Sequence, residues 1–204
     1  MRTQQVAIWV ALGMATSLLA GCRVESDKHG DSDNVKISTP FGGMQVKTNH
    51  AVVLEEIGLP AYPGAQLVKK DKDKGAADVD LNFGSFRLRV KAVGYRTDDS
   101  PDKVEAFYRS GMRRFGDVIA CRDNLTVGSP ARTLEGLTCD NEVKNHVTLS
   151  NHPGKGNLQL KAGSKQHQHI VEIEPDGGGT KIGLVALDLP GNGSSDDKEG
   201  EGTE

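Results

Sequence analysis

The sequence predicts an α+β domain in which one long amphipathic helix packs across a curved antiparallel sheet. Two observations lead to this prediction. Apolar and polar residues alternate in a series of short segments separated by glycine and proline, which is the pattern of antiparallel strands with one wet face. Residues 100–115 instead repeat their apolar residues at helical spacing. We expect seven or more strands and this one long helix.

The chain begins with the pattern of a lipoprotein signal. Arg2 precedes the apolar run Val6–Ala20, which is shorter than the roughly 18–20 apolar residues of a membrane-spanning helix. The lipobox Leu19-Ala20-Gly21-Cys22 follows, in which small residues admit a peptidase and the Cys22 sulfur accepts a diacylglycerol. We therefore expect residues 1–21 to be removed and Cys22 to be lipidated. An ordinary secretory signal and an uncleaved anchor are the alternatives.

Composition divides the remaining chain into three parts. Residues 22–34 are charged and aperiodic, which predicts a lipidated cysteine followed by a flexible tether, whereas residues 35–189 form a single domain. The composition of residues 190–204 predicts a disordered acidic tail. The chain carries 25 Lys and Arg against 28 Asp and Glu, and the anionic excess lies at its two ends. Because phosphate binding needs a clustered basic face, we expect no nucleic-acid partner.

Strands dominate the first part of the domain. Val35–Thr39 and Met44–Thr48 alternate around a Pro-Phe-Gly-Gly turn, which predicts a β-hairpin. Asn49 is a suitable N-cap and Gly58 a suitable end for a short helix over residues 51–57. Further strands are predicted over residues 66–70, 79–83 and 86–92, the last two separated by a tight turn or bulge at Gly84-Ser85.

The long helix is predicted from its ends and from its apolar stripe. Ser100 is a suitable N-cap and Pro101 suits the first helical position, while Gly116 supplies the end. The stripe is Val104, Phe107, Tyr108, Gly111, Met112 and Phe115. Gly111 within this stripe predicts close approach of the helix to the sheet. An aromatic stripe of this spacing is typical of a core, so we assign the helix a structural role.

The second part of the domain is again predicted to consist of strands, joined by one long loop. A strand is predicted over residues 118–121, followed by a loop over residues 122–137. The later strands are predicted over residues 146–150, 157–162, 166–174 and 181–189.

Two cysteines remain after Cys22 is assigned to lipid. In an exported chain, Cys121 and Cys139 are expected to form a disulfide. Such a bridge contributes about 3 kcal/mol, mostly by restricting the unfolded chain. A redox-active or metal-binding pair is the alternative, although the spacing is far from C-x-x-C.

Two motifs resemble those of a family of bacterial envelope lipoproteins of unknown function. The first is the turn Tyr62-Pro63-Gly64-Ala65, and the second is the D-S-P-x-x-V-x-x-F-Y pattern over residues 99–108. The resemblance covers residues 59–120 and implies that the turn leads into a strand and that the helix packs on the sheet. This chain departs from the pattern at Gly111-Met112, where a larger aliphatic residue is expected. The resemblance implies no catalytic residues.

Histidines are the residues from which a chemical site is most readily built. His167 and His169 share one face of a predicted strand, and His146 lies on another, so a Zn or Cu site is a hypothesis. Half-buried sheet histidines explain the same pattern. No G-x-S-x-G, H-E-x-x-H or C-G-x-C pattern is present, and a periplasmic hydrolase would therefore need an unrecognised site in a deep pocket.

Together these features predict an exported, lipid-anchored envelope protein. We expect a non-catalytic module without a cofactor, held at the periplasmic face of a membrane by the lipid on Cys22 and binding another envelope protein through its sheet or loops. Arg23 follows Cys22 in place of the aspartate associated with inner-membrane retention in enteric bacteria, which favours the outer membrane.

Overall fold

A computed structural model describes residues 22–29, 32–68, 75–139 and 156–190. The strands are β1 (Arg23–His29), β2 (Ser32–Thr39), β3 (Gly42–Lys47), β4 (Gln66–Leu67), β5 (Ala76–Phe83), β6 (Phe86–Thr97), β7 (Val118–Arg122), β8 (Leu125–Thr126), β9 (Leu158–Gly163), β10 (His167–Asp176) and β11 (Gly179–Asp188). The helices are α1 (His50–Ile57) and α2 (Pro101–Met112), and a 3₁₀ turn, Arg113–Phe115, continues α2. The predicted signal peptide, the predicted strand over residues 146–150 and the tail after Pro190 lie outside the described residues.

All the described strands belong to one antiparallel sheet. Its order is β1-β2-β3-β5-β6-β11-β10-β9-β7-β8, and the short β4 also pairs with β6. Tight turns join β2 to β3, β5 to β6 and β10 to β11. The last described strand, β11, inserts beside β6, so that it joins the sequences before and after α2 into one sheet.

The predicted α+β class, with one long helix packed across the sheet, is wrong. The described chain is mostly antiparallel sheet, with eleven strands and 53% of residues in strands. Both described helices are short, eight residues in α1 and 12 in α2. The helical stripe ends at Met112 because the next turn tightens to 3₁₀, and Gly116 with φ 107° then ends it. A helix of this length reaches only part of so wide a sheet.

The N-terminal segment also differs from its prediction. The sequence predicts a flexible tether over residues 22–34, whereas residues 23–29 form β1 and pair with β2 from Arg23 opposite Ser38 onward. Pairing at a sheet edge satisfies backbone groups and requires no buried side chain, so a polar segment can join the sheet without an apolar pattern.

The helices cover one face of the sheet, and the main core lies beneath them. Helix α1 contributes Val53 and Ile57, while α2 contributes Val104, Tyr108 and Met112. The sheet contributes Val93, Tyr95, Val118, Ala120, Leu158, Leu160, Ala162, Val171, Ile173, Ile182 and Leu184. We call this side of the sheet the helix-covered face.

The two motifs of the resemblance meet in this core. The Tyr62 hydroxyl donates a hydrogen bond to Asp99 Oδ2 at 2.8 Å, and its ring meets that of Phe107 edge-on at 5.1 Å. The fully buried Tyr108 hydroxyl donates to the carbonyl oxygen of Pro60 at 3.2 Å. These contacts hold α2 against the turn that precedes β4, which gives both motifs a structural role.

Gly111 does not make the predicted close approach to the sheet. A Cβ atom added there would meet no heavy atom within 4 Å. The buried residues of α2 are Val104, Tyr108 and Met112, which place Gly111 beside the core-facing stripe.

The predicted disulfide between Cys121 and Cys139 is present. It lies with Ile119 and Leu137 in a second buried cluster, on the side of β7 opposite the main core. The buried Lys161 donates a hydrogen bond to the Cys139 carbonyl at 3.4 Å. The bridge therefore closes the loop that follows β8 onto the sheet.

Candidate interaction surface

The side of the sheet that faces the helices is apolar in one half of the molecule and charged in the other. On β6, the Lys91 ammonium contacts Glu56 of α1 at 2.6 Å, so the odd-numbered residues of β6 point toward the helices. Because side chains alternate along a strand, the even-numbered residues, Phe86, Leu88 and Val90, point to the opposite side. These residues begin an apolar surface that faces away from both helices.

We call this surface the apolar face. Its members are Val24 of β1, Val35 and Ile37 of β2, Met44 and Val46 of β3, Val79, Leu81 and Phe83 of β5, Phe86, Leu88 and Val90 of β6, and Val185 and Leu187 of β11.

The strand register brings these side chains into continuous rows. One row runs across five strands through Val24, Ile37, Met44, Leu81 and Leu88. The neighbouring row runs through Val35, Val46, Val79, Val90 and Leu187. Directly paired apolar side chains lie about 4.5–5.5 Å apart, so the rows form one patch rather than scattered exposed residues.

The described residues place no helix on this patch. Its members belong to neither of the two buried clusters found in the described part of the chain. Leu88 and Leu187 are buried, most of the others are half-buried, and Val24 and Phe83 remain 65% and 46% exposed. The apolar face is therefore only partly covered by the described chain.

The other side of the same strands is charged. Arg89 pairs with Asp80 at 2.7 Å, in addition to the contact between Lys91 and Glu56. Asp78 is buried beside them, and this burial raises its pKa above the ordinary value. The paired segments 78–83 of β5 and 86–91 of β6 are thus amphipathic, with their apolar side turned away from the helices.

Cys22, the predicted lipidation site, lies at the edge of this half of the sheet. It is exposed and takes no part in the disulfide. It directly precedes β1, whose Arg23 is paired with Ser38 of β2. No residue separates Cys22 from the folded sheet.

The two histidines of the metal hypothesis lie on β10 and have other partners. His167 Nδ1 lies 2.9 Å from Asp188 Oδ1, and the His169 ring stacks on Phe115 with 3.6 Å between centroids. Burial is the main reason that the pKa of His169 is lowered, so the ring favours the neutral form. His146 lies outside the described residues.

No metal site is assembled in the described segments. They hold no group of three or more His, Cys, Asp or Glu side chains placed to hold a metal ion. The metal hypothesis thus has no geometric support from His167 and His169.

A cleft of about 740 Å³ lies beside α1 and β4. It is lined by His50, Ala51, Leu54, Glu55, Gly58, Leu59, Pro60, Ala65, Leu67, Tyr95 and Arg114. Arg114 donates a hydrogen bond to the Gly58 carbonyl at its rim. None of these lining residues is Ser, Thr or Cys, so the cleft supplies no such nucleophile for the hydrolase hypothesis.

The disulfide bears on the compartment of the protein. Disulfides persist in oxidising environments outside the cytosol, so the bridge indicates an exported chain. Neither described helix has the length and hydropathy that a bilayer crossing requires.

Comparison with known proteins adds no identity. The chain matches no family model, no curated protein and no solved structure. Function is therefore inferred from the surfaces of this chain.

The apolar residues of the surface are visible in the sequence, but the surface itself is not. The alternation of Val79, Leu81 and Phe83 is plain in the sequence, yet alternation alone does not say which side of a sheet is covered. The described helices are too short to cover every strand, and only the topology shows which strands they reach.

Proposed function

We propose that the protein is a lipid-anchored envelope lipoprotein that acts as a non-catalytic interaction module. The observation that carries this proposal is the apolar face, which spans β1, β2, β3, β5, β6 and β11 and has no helix packed on it in the described chain. A soluble protein rarely leaves so continuous an apolar patch to water unless the patch binds a partner.

Lipid anchoring is supported by the sequence around Cys22 and by its position. The lipobox ends at Cys22, and its sulfur is exposed ahead of β1, where a transferase can attach a diacylglyceryl group to it. The disulfide fits the same compartment, because lipoproteins mature outside the cytosol. The lipid would tether the protein to the periplasmic face of a membrane, which we propose to be the outer membrane.

The partner is expected to be another envelope protein with an apolar surface. Burying a half-exposed Val, Leu or Ile side chain contributes on the order of 1 kcal/mol, so several rows of such side chains support a stable complex. The polar residues of the opposite side keep the binding specific to one face.

A photo-crosslinking amino acid placed at Ile37 tests this proposal in the host cell. Ile37 belongs to the apolar face, while its neighbour Lys36 is exposed on the opposite side and serves as the matched control. Met44 and Gln45 of β3 form a second pair of the same kind. We expect the same protein adduct from positions 37 and 44, and none from positions 36 and 45. Adducts that form equally from both sides would contradict the proposal.

Anchoring is tested separately by Cys22→Ser. We expect the parent protein to incorporate a labelled fatty acid and the variant not to, because the sulfur of Cys22 is the proposed site of lipid attachment. Ser26→Cys in the same variant is a useful control, since it restores a thiol but not the lipobox. A Cys22→Ser protein that is labelled as strongly as the parent would refute the lipid anchor.

A further inference from the structure

The end of the sheet beside Cys22 combines several features that suit a lipid interface. We call it the anchor end: Cys22, the Pro40-Phe41 turn between β2 and β3, and the turn between β5 and β6 with its flanking Phe83 and Phe86. Phe41 is 84% exposed and Phe83 is 46% exposed. Two exposed aromatic rings at adjacent turns are costly in water and are favourable at a membrane interface.

The strand register places these residues beside the anchor point. Arg23 pairs with Ser38, so Cys22 comes next to Thr39. Thr39 pairs with Gly42, which pairs with Phe83, and Phe83 pairs with Phe86. The paired residues at the end of the sheet therefore lead from Cys22 to Phe83 and Phe86.

Gly42 allows the close contact between the two turns. It has φ 153°, and a Cβ added there would collide with the Asn82 carbonyl oxygen and would lie only 2.7 Å from the Phe83 ring. The absence of a side chain at this position lets the Phe41 turn and Phe83 lie side by side at the same end.

Charge at the anchor end favours a lipid headgroup. The row of paired residues one step in from the end contains Arg23 of β1 and Arg87 of β6. On β1, β2, β3, β5 and β6, neither this row nor the row at the end contains a carboxylate. The first carboxylates, Glu25 and Asp80, lie two residues further from the end. Arg23 contacts Glu25 at 2.7 Å but stays 81% exposed, and a surface pair of this kind is weak.

The chain itself fixes how near the bilayer this end lies. The apolar run Val6–Ala20 reaches Cys22 through Gly21 alone, and β1 begins at Arg23. One residue spans about 3.5 Å, so a lipid on Cys22 holds the end of the sheet within a few ångströms of the headgroups. An uncleaved apolar segment would hold the same end at the same place.

We propose that the anchor end seats in the bilayer interface, with Phe41 and Phe83 inserted beside the lipid of Cys22. The bilayer is the occupant of this surface, and the strands rise from it with the apolar face open to the side. This inference rests on the proposed lipid anchoring and adds an orientation: the protein stands on one end of its sheet and meets its partner laterally.

Tryptophan fluorescence tests the orientation without a background signal from native tryptophan. The single Trp of the chain is Trp9, inside the predicted signal peptide, so the mature lipoprotein has none. Phe41→Trp places a probe at the anchor end. Leu125→Trp is the matched control, because Leu125 is 72% exposed and lies far from the anchor end. Leu125 pairs with Arg122, and the strand pairing leads from Arg122 across the sheet to Tyr95 of β6. Nine residues of strand separate Tyr95 from Phe86, about 30 Å.

The purified full-length lipoprotein is reconstituted in vesicles of phosphatidylethanolamine and phosphatidylglycerol, with and without brominated acyl chains. For the Phe41→Trp protein we expect blue-shifted emission and severalfold quenching by bromine. The emission of the Leu125→Trp protein should be the same with and without brominated acyl chains. Phe83→Trp is expected to behave like Phe41→Trp and guards against a local effect at one turn.

The outcomes separate the two proposals. If the intact mass includes the lipid but neither the Phe41→Trp nor the Phe83→Trp protein is quenched, the orientation is overturned and the anchor stands. Blue-shifted emission from Phe41→Trp without bromine quenching would indicate contact with protein, such as a second copy, and also overturns the orientation. A mass without lipid, or Trp9 fluorescence in the parent protein, overturns the lipid anchor itself.

Discussion

The two halves of the sheet differ in which faces the described chain covers. In the half formed by β7, β9, β10 and the far ends of β6 and β11, apolar side chains such as Leu160 and Val171 lie under the helices. In the half formed by β1, β2, β3 and β5, the side toward the helices is charged, and residues such as Ile37 and Leu81 face the other way. A strand that runs through both halves must therefore carry its apolar side chains on one face in the first half and on the other face in the second.

β6 shows how that change is made. Its even-numbered residues are apolar from Phe86 to Ala92, and its odd-numbered Val93 and Tyr95 then enter the main core. Its pairing with β5 and β11 continues without a bulge through this point. The backbone pairing is therefore continuous, and only the side-chain pattern changes where β6 passes from the apolar face to the main core.

The largest expected difference is between one truncation in each half. Leu160→Ala removes a fully buried side chain and should lower the free energy of unfolding by about 2–5 kcal/mol. Ile37→Ala removes a half-buried one and should cost about 1 kcal/mol or less in the isolated protein. Urea unfolding of both variants measures the difference. Equal losses would mean that the apolar face is covered by the protein itself.

The disulfide is expected to stabilise the covered half. Cys121 and Cys139 are separated by 18 residues, and losing a bridge over such a loop costs about 3 kcal/mol. Cys121→Ala with Cys139→Ala should show this loss in chemical unfolding. The parent protein unfolded under reducing conditions is the control and should match the double variant. A loss well below about 1 kcal/mol would show that the loop is held by other contacts.

Gly111 offers a stabilising change in the same half. Its Cβ position is open, and glycine inside a helix is less favourable than alanine by about 0.5–1 kcal/mol. Gly111→Ala should therefore raise the unfolding midpoint. Gly42→Ala is the contrasting control in the other half and should lower the midpoint, because the new methyl group collides with the Asn82 carbonyl oxygen and with Phe83. A destabilised Gly111→Ala protein would show that α2 lies closer to the sheet than the structure has it.

The smallest expected effect is a pH dependence at His169. Its pKa lies below the ordinary value of 6.5, mainly because the ring is buried. Below about pH 6.5 the unfolded chain binds a proton that the folded protein does not, so stability falls as pH drops toward the folded pKa. Asp188 opposes this lowering, whereas Arg114 and His167 add to it.

His169→Gln isolates this contribution. The variant should lose the stacking on Phe115 at every pH, but its stability should change less between about pH 7 and pH 5 than that of the parent protein. Chemical unfolding at the two pH values gives the comparison. An unchanged pH dependence would place the responsible proton elsewhere.

Most local features of the fold follow from the sequence. The hairpin of β2 and β3 is confirmed, as is α1, whose Asn49 accepts hydrogen bonds from Ala51 and Val52 and whose Gly58 has φ 74°. The predicted strands over residues 157–162, 166–174 and 181–189 correspond to β9, β10 and β11. Each of these depends on residues close together in the chain, such as a cap, a turn or an alternation.

Predictions that depended on distant parts of the chain were less successful. The predicted strand over residues 66–70 is described only at Gln66–Leu67, and the tether is replaced by β1. Ser100 is the N-cap of α2 as predicted, but its side chain makes no capping hydrogen bond. Whether a polar edge segment pairs, or where a helix ends, depends on which neighbours the topology supplies.

The sequence by itself determined the alternating strands and the pairing of Cys121 with Cys139, and it predicts a lipobox that ends at Cys22, because each is a local pattern or a choice between few cysteines. The tertiary structure decided which side of each strand is covered and which turns lie beside Cys22. The physical reason is that alternation shows which side chains share a face but not which of the two faces is covered. The helices decide this, because they reach one face and only part of the sheet.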